Sequence, residues 1–326
     1  MISRSHQPDR LKIFTWHIHG SYLYYLSQCN FDIYIPVNDK KNEGYYGRGK
    51  TFLFGDNVIE VPVSHVKALD FDCILFQSEK NFRIDQYEIL SAEQRKLPAV
   101  YLEHNAPSPY AVDSSHPLYD PRVVLVHVTH YNKLMWKNNV PMVRVIQHGI
   151  TEASHTYTGE LKKGIVVINH IKERGRTTGW DIYDRVRAEV PIDLAGIGTE
   201  QYGGLGEVLF PRLTAFTTRY RFLFNPIRHT SFGLFVCEAM MAGIPVVSLA
   251  TTEYANLLTN GESAFINTDV DALIAGMKLL LNNLPLATTM GQRGHAVAQE
   301  QFNMERFIRE WNEVFEFAIN KKMMTV

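Results

Sequence analysis

From Ser231 to Thr252 the chain reads S-F-G-L-F-V-C-E-A-M-M-A-G-I-P-V-V-S-L-A-T-T, twenty-two residues in which Glu238 is the only charge. A carboxylate in so apolar a setting must find a hydrogen-bond donor or take up a proton. Just before it, R-H-T-S-F-G-L leads into a helix that opens near Gly233. Amides in a helix's first turn have no partner inside the helix and carry partial positive charge, which suits a diphosphate. Gly233 lets a phosphate come close. Glu238, about a turn and a half further on, can accept two hydrogen bonds from a vicinal diol such as a ribose. The same pattern also suits a plain helix start with its carboxylate at a solvent rim.

The elements that must position these residues are legible in outline. Apolar stretches at Leu11–Trp16, Phe31–Pro36, Asp72–Gln77, Ala99–Glu103 and Val123–Thr129 read as strands. Helical patterns lie between them at Tyr22–Ser27, Asp85–Gln94 and His130–Asn138. Strands that are apolar throughout and alternate with helices imply a parallel sheet covered on both faces. Asn38–Lys50, with three glycines and no period, reads as a loop free to move. Val143–Ile150 closes this half, and the polar Thr151–Lys163 reads as a hinge. The pattern then resumes with strands at Gly164–Asn169, Ile192–Gly196, Tyr220–Asn225 and Ile244–Leu249. Helices are expected at Trp180–Val190 and Gly233–Ala242, from a cap at Asp271 to Leu281, and over Met304–Asn320. The fold class is therefore α/β, two Rossmann-like domains facing a cleft, where ligands bind beyond the carboxyl ends of the strands. The expected domains are residues 1–152, 153–303 and a C-terminal helix, 304–326.

Composition sets the outer limits. A chain of 326 residues with 45% hydrophobic and 12% aromatic residues suits two domains with sizeable cores. The formal net charge of −1 offers no field for a polyanion, so nucleic acid is excluded as the expected partner. Cys29, Cys73 and Cys237 are too few and too scattered for a disulfide framework or a metal site. The opening M-I-S-R-S-H-Q-P-D-R has no apolar signal core and no long apolar run follows, so the expected location is cytoplasmic, at most peripheral at a membrane. Asp70-Phe71-Asp72 and Asp269-Val270-Asp271 read as a strand start and a helix cap rather than metal ligands. No metal and no cofactor is expected, and His17 and His19 lack an acidic or thiol neighbour in sequence.

Around Glu238 the chain resembles the GT-B glycosyltransferases, specifically retaining family 4. That family carries E-G-F-G-x-x-x-x-E-A-M-A-x-G-x-P-V-V followed by an N-G or D-G turn. Here T-S-F-G-L-F-V-C-E-A-M-M-A-G-I-P-V-V-S is followed by Asn260-Gly261. Ala195–Gly198 (A-G-I-G) and Val145–Ile150 (V-I-Q-H-G-I) are similar to the family's V-G-x-G and V-I-P-N-G-V. The resemblance covers most of residues 143–316 and, more faintly, the first half. It implies a nucleotide-sugar donor held by Thr230, Ser231, Phe232, Gly233 and Leu234, with Glu238 on the ribose. It further implies basic residues at the diphosphate, here Arg174 and Arg176 with Lys172 beside them. His104 would sit near the reacting carbon, and Gly20 and Ser21 near the diphosphate and acceptor. The C-terminal helix, with Phe307, Trp311, Val314, Phe315 and Ala318 at helical spacing, would cross back to the first domain. One departure stands out. Thr230 occupies the place of the first glutamate of the family's Glu-x7-Glu motif, and a hydroxyl cannot stabilise positive charge as a carboxylate does.

The expected activity is transfer of a hexose from a nucleoside diphosphate sugar to an acceptor hydroxyl on a carbohydrate, lipid or small molecule, with retention and without metal. Two rivals remain at this level. One is a nucleotide-sugar-binding partner subunit without catalysis, which Thr230 motivates. The other is another reaction on the same fold, such as that of an epimerase or phosphorylase.

Overall fold

A computed structural model describes residues 10–210 and 212–324, with side chains to Lys321. Residues 1–9, on which the reading of the opening segment mostly rests, lie outside the described residues. The first lobe is a parallel sheet of β1 (Leu11–Thr15), β2 (Phe31–Val37), β3 (Val58–Pro62), β4 (Cys73–Phe76), β5 (Ala99–Glu103), β6 (Val124–His127) and β7 (Val143–Val145). The order is β3-β2-β1-β4-β5-β6-β7 among the described residues. Every residue of β4 and β6 is buried, as expected for strands covered on both faces. Its helices are α1 (Gly20–Leu26), α2 (Gln86–Ile89) and α3 (His130–Met135).

The second lobe pairs β8 (Leu161–Val167), β9 (Ile192–Ala195), β10 (Tyr220–Asn225), β11 (Val246–Leu249) and β12 (Ala264–Asn267), in the parallel order β12-β11-β10-β8-β9. Around it lie α4 (Trp180–Arg187), α5 (Arg212–Thr217), α6 (Leu234–Met241), α7 (Tyr254–Leu257), α8 (Val270–Asn282) and α9 (Leu284–Gln301). Arg221 is buried on β10 without a carboxylate partner among the described residues. Its guanidinium instead donates to the carbonyls of Gly159, Leu280 and Leu281, and so satisfies the end of α8.

The last helix, α10 (Met304–Met324), returns to the first lobe. Phe307, Trp311 and Phe315 are fully buried. The Trp311 indole donates to the Tyr22 hydroxyl of α1 at 3.2 Å, and Phe315 packs edge-on against Phe31 at 5.1 Å. Two α/β lobes with a returning helix are thus the architecture expected from the sequence.

Several local expectations need correction. The helix expected at Asp85–Gln94 begins earlier, as a wide turn over Asn81–Asp85, and ends with α2 at Ile89. The cap of α8 is Asp269, whose carboxylate accepts from the Asp271 amide, rather than Asp271 itself. Asn38–Lys50 has no helix or strand, yet bridges from His17 to Gly44 and from Val37 to Tyr46 tie it down, and Tyr45 is buried. β3, β12, α5, α7 and α9 are additional elements.

Candidate functional site

The carboxyl ends of β1, β5, β8 and β10 carry the loops that lead to the candidate residues. At the start of α6, Gly233 has an extended backbone (φ −75°, ψ 136°) and no side chain caps the helix. A Cβ placed there would meet only Val236 Cγ2, at 4.0 Å. The space above this turn is therefore open. The amides of Gly233, Leu234 and Phe235 donate to no described acceptor, which leaves three donors for an anion. Phe232, just before them, is buried against Tyr254 and Phe302.

Glu238 is only 8% exposed. Its donor comes from the other lobe: the Tyr25 hydroxyl of α1 donates to Glu238 Oε1 at 2.8 Å. Burial pushes the Glu238 carboxyl up to about 7, while the Tyr25 hydrogen bond pulls the other way. A cavity of about 200 Å³ adjoins it, between the lobes, lined by Tyr24, Tyr25, Leu53, Phe210, Thr214 and Glu238 among others. Phe210 lies 5.0 Å from the Tyr24 ring and 5.2 Å from that of Phe52. A larger cavity of about 390 Å³ opens at the other end of the first sheet, near Ile74, Ala99 and Val123, and no candidate residue lines it.

Histidines gather where the lobes meet. His104 follows β5, and its turn is shaped by Glu103, which accepts from the Asn105 amide at 2.8 Å and pairs with buried His116 at 3.1 Å. Gln77 donates to Thr15 Oγ1 and to the Trp16 carbonyl, so its Oε1 faces His104 Nε2, at 3.1 Å, as an acceptor. His104 Nε2 therefore carries the proton and Nδ1 is left as an acceptor. The His19 ring lies 4.1 Å from that of His104, and Tyr22 lies 4.8 Å from it. Burial, then His19 and His148, hold His104 well below its usual pKa, so it is neutral. His148 Nε2 donates to the Phe232 carbonyl at 2.8 Å. Burial pushes His148 down to about 4.

The basic candidates after β8 are placed differently from one another. Lys172 lies over the rings of Tyr202 (4.3 Å) and Trp180 (5.2 Å). Arg176 pairs with Asp181 at 2.8 Å, and Arg228 holds the same carboxylate with two bonds, at 2.6 and 2.7 Å. Among the described residues neither Lys172 nor Arg174 makes an ion pair, and Arg174 makes no ring contact either. Arg228 and His229 both donate backbone N–H groups to the Thr177 carbonyl, which sets this loop beside the one that leads to α6.

Gly20 opens α1, where an added Cβ would lie 2.4 Å from Phe52, so close packing accounts for the glycine. Ser21 follows it in the same turn. Thr230 makes no hydrogen bond with the described residues, and Leu234 is the first residue of α6. Ser231 Oγ accepts from Asn132 of α3 at 2.7 Å, and His229 joins Tyr131 (2.8 Å) and the Pro107 carbonyl (2.9 Å). Glu253 accepts from the Tyr131 amide. The loop before α6 is thus clamped by the first lobe. Sequence reasoning missed Tyr25, Tyr22, Tyr131, Asn132 and the role of His148. A cluster of tyrosines at 22, 24 and 25 was the available signal for a donor to Glu238.

Among the described residues no group of three or more His, Cys, Asp or Glu side chains is arranged to hold a metal ion. Asp72 accepts from the Lys12 amide of β1 at 2.8 Å, just before β4 begins, a strand-start role. No single described helix is long and apolar enough to cross a membrane.

Residues 189–283, which hold the α6 start and Glu238, match the family model described as Glycosyl transferases group 1. Among solved structures, sucrose-phosphate synthase from Thermosynechococcus elongatus is similar with a TM-score of 0.70 at 14% identity, covering 96% of this chain and 100% of that one. HepE from Anabaena, solved in complex with UDP, gives 0.65 at 13% identity, covering 94% and 100%. TarM of S. aureus gives 0.58 at 13% identity over 78% of this chain, and the match spans 57% of the TarM chain. The chain therefore has the GT-B fold and carries a glycosyl transferases group 1 segment. No curated protein matches it in sequence.

Proposed function

We propose that the chain is a glycosyltransferase that moves a hexose from a nucleoside diphosphate sugar to an acceptor hydroxyl. The diphosphate would rest on the open amides of Gly233, Leu234 and Phe235. Arg174, without an acidic partner among the described residues, would balance the charge that builds on the departing diphosphate. Glu238 would take the ribose diol, and the adjoining cavity beside Tyr24 and Phe210 would take the rest of the nucleoside. His104, neutral and with a bare Nδ1, suits acceptance of a sugar hydroxyl rather than ion pairing. Retention, independence of metal and a cytoplasmic location belong to the same reading. The observation that carries it is the juxtaposition of three amides unpartnered among the described residues with a buried carboxylate about a turn and a half beyond the helix start, facing an interlobe cavity.

A thermal-shift screen against UDP, GDP, ADP, CDP and dTDP and their common sugar esters tests the reading, since a ligand that binds only the folded state raises its melting temperature. A rise with one diphosphate, followed by consumption of its sugar ester, is expected. Absence of any shift across the panel refutes it. Thr230 favours a second reading, a nucleotide-sugar-binding subunit without turnover, for which the shift appears but the sugar ester is never consumed.

A further inference from the structure

We infer that His148 is a positioning residue for the diphosphate site, holding the Phe232–Gly233 peptide so that the Gly233 amide faces the phosphates. The inference rests on the function proposed above. A carbonyl only accepts, so the 2.8 Å contact with Phe232 O fixes the proton on His148 Nε2. In a trans peptide the C=O and the following N–H point in opposite directions. Anchoring the Phe232 carbonyl on His148 therefore turns the Gly233 N–H away from the imidazole. That N–H has no described acceptor, and Gly233 itself is exposed with open space above it.

The anchor is itself held. Arg306 of α10 donates to the carbonyls of Gln147 and His148 at 3.1 and 2.6 Å. Gly149 fits against Phe307 so closely that an added Cβ would lie 2.4 Å from it. The His148 ring is 4% exposed and stands 5.8 Å from that of Tyr22. Its Nδ1 is buried without a partner among the described residues, so the ring is retained at the cost of an unsatisfied acceptor. A side chain needed only for packing would not require that nitrogen. The returning helix is thereby linked, through one imidazole, to the peptide that opens α6.

The test compares affinities for a nucleoside diphosphate and its parent nucleoside, using the pair chosen by the screen above, in the intact protein and in His148→Phe and His148→Gln. Loss of one oriented amide bond to a charged group predicts that His148→Phe weakens diphosphate binding about ten- to a hundredfold. Nucleoside affinity should stay within about twofold, because a purely structural defect would reduce both together. His148→Gln, whose amide can reach the same carbonyl, should restore most of the diphosphate affinity. Parallel loss for both ligands, or no loss for the diphosphate, overturns the inference while leaving the donor site intact. If His148→Phe does not fold, His148→Gln against the shorter His148→Asn serves instead, and equal diphosphate affinity in these two overturns it. Should the unaltered protein bind the diphosphate no better than the nucleoside, the donor reading itself fails and the inference with it.

Discussion

Replacing Tyr25 by phenylalanine asks whether Glu238 is reserved for a ligand. In the structure one of its carboxylate oxygens is occupied by the Tyr25 hydroxyl at 2.8 Å, while the side chain also lines the interlobe cavity. A ribose diol that uses both oxygens must displace that hydroxyl, and a hydrogen bond to a charged group is worth about 1.5–3 kcal/mol. Tyr25→Phe removes this competition at the cost of a less stable ion in the free protein. Because the Tyr25 bond lowers the Glu238 pKa, which burial has already raised to about 7, the variant's carboxyl should titrate higher still. Measured by calorimetry at a pH alkaline enough to ionise the carboxylate in both proteins, diphosphate affinity should rise about ten- to a hundredfold in the variant. Toward lower pH the gain should shrink, since the ligand takes the ionised form and the native protein keeps that form to a lower pH. Affinity that is unchanged or weaker at the alkaline end would refute the reasoning, and with it the placement of the diol on Glu238.

Three further outcomes follow from the same geometry. Glu238→Gln should lose about 1.5–3 kcal/mol of diphosphate affinity. It should also change the pH dependence of stability: a carboxyl raised from 4.5 to about 7 makes the native protein less stable as pH rises through that window, by on the order of 3 kcal/mol, and flat above it. Urea unfolding on both sides of the window should show that decline in the native protein and a shallower one in Glu238→Gln; identical slopes would deny the burial of the charge. Arg174→Ala should reduce kcat about a hundredfold or more, as for loss of one donor to a developing anion, whereas Arg176→Ala, already tied to Asp181, should do far less. The reverse ranking in a turnover assay would reassign the counter-ion. Trp311→Ala, on a fully buried side chain of α10, should cost about 3–5 kcal/mol in denaturant unfolding, and a loss under about 1 kcal/mol would mean that the returning helix does not dock as described.

What the sequence disclosed follows from what each element buries. β10 was legible to the residue, Tyr220–Asn225, because all six of its side chains are buried and four of them, Tyr220, Phe222, Leu223 and Phe224, are large and apolar. β3 was not, since Val-Ile-Glu-Val-Pro lies at the sheet edge with Glu60 and Pro62 exposed, and an edge strand need not be apolar. α9 was missed for a different reason: its buried face is built from Ala287, Met290, Gly291, Gly294 and Ala298, mostly small residues. A Cβ on Gly291 would lie 2.0 Å from the Gly243 carbonyl, so this helix packs by close approach rather than by bulk, and a hydrophobic pattern cannot report it.

The site divides along the same line. Its local half, a helix start followed by one stranded carboxylate, could be read because both features lie within eleven residues of Arg228. Its other half is supplied from afar. Tyr25 stands 213 residues from the carboxylate it serves, and His148 stands 84 from the carbonyl it holds. No spacing rule reaches across such intervals; only the pairing of the two lobes brings these groups together. That dependence also bears on turnover. Because Tyr25, His148, Tyr131 and Asn132 all reach the second lobe from the first or from the segment between them, any separation of the lobes strips α6 and its preceding loop of four polar partners at once. A donor entering an opened cleft would meet Glu238 without its tyrosine and Gly233 without its imidazole anchor. Reclosure would restore the anchor to an occupied site, while the tyrosine would find its acceptor taken.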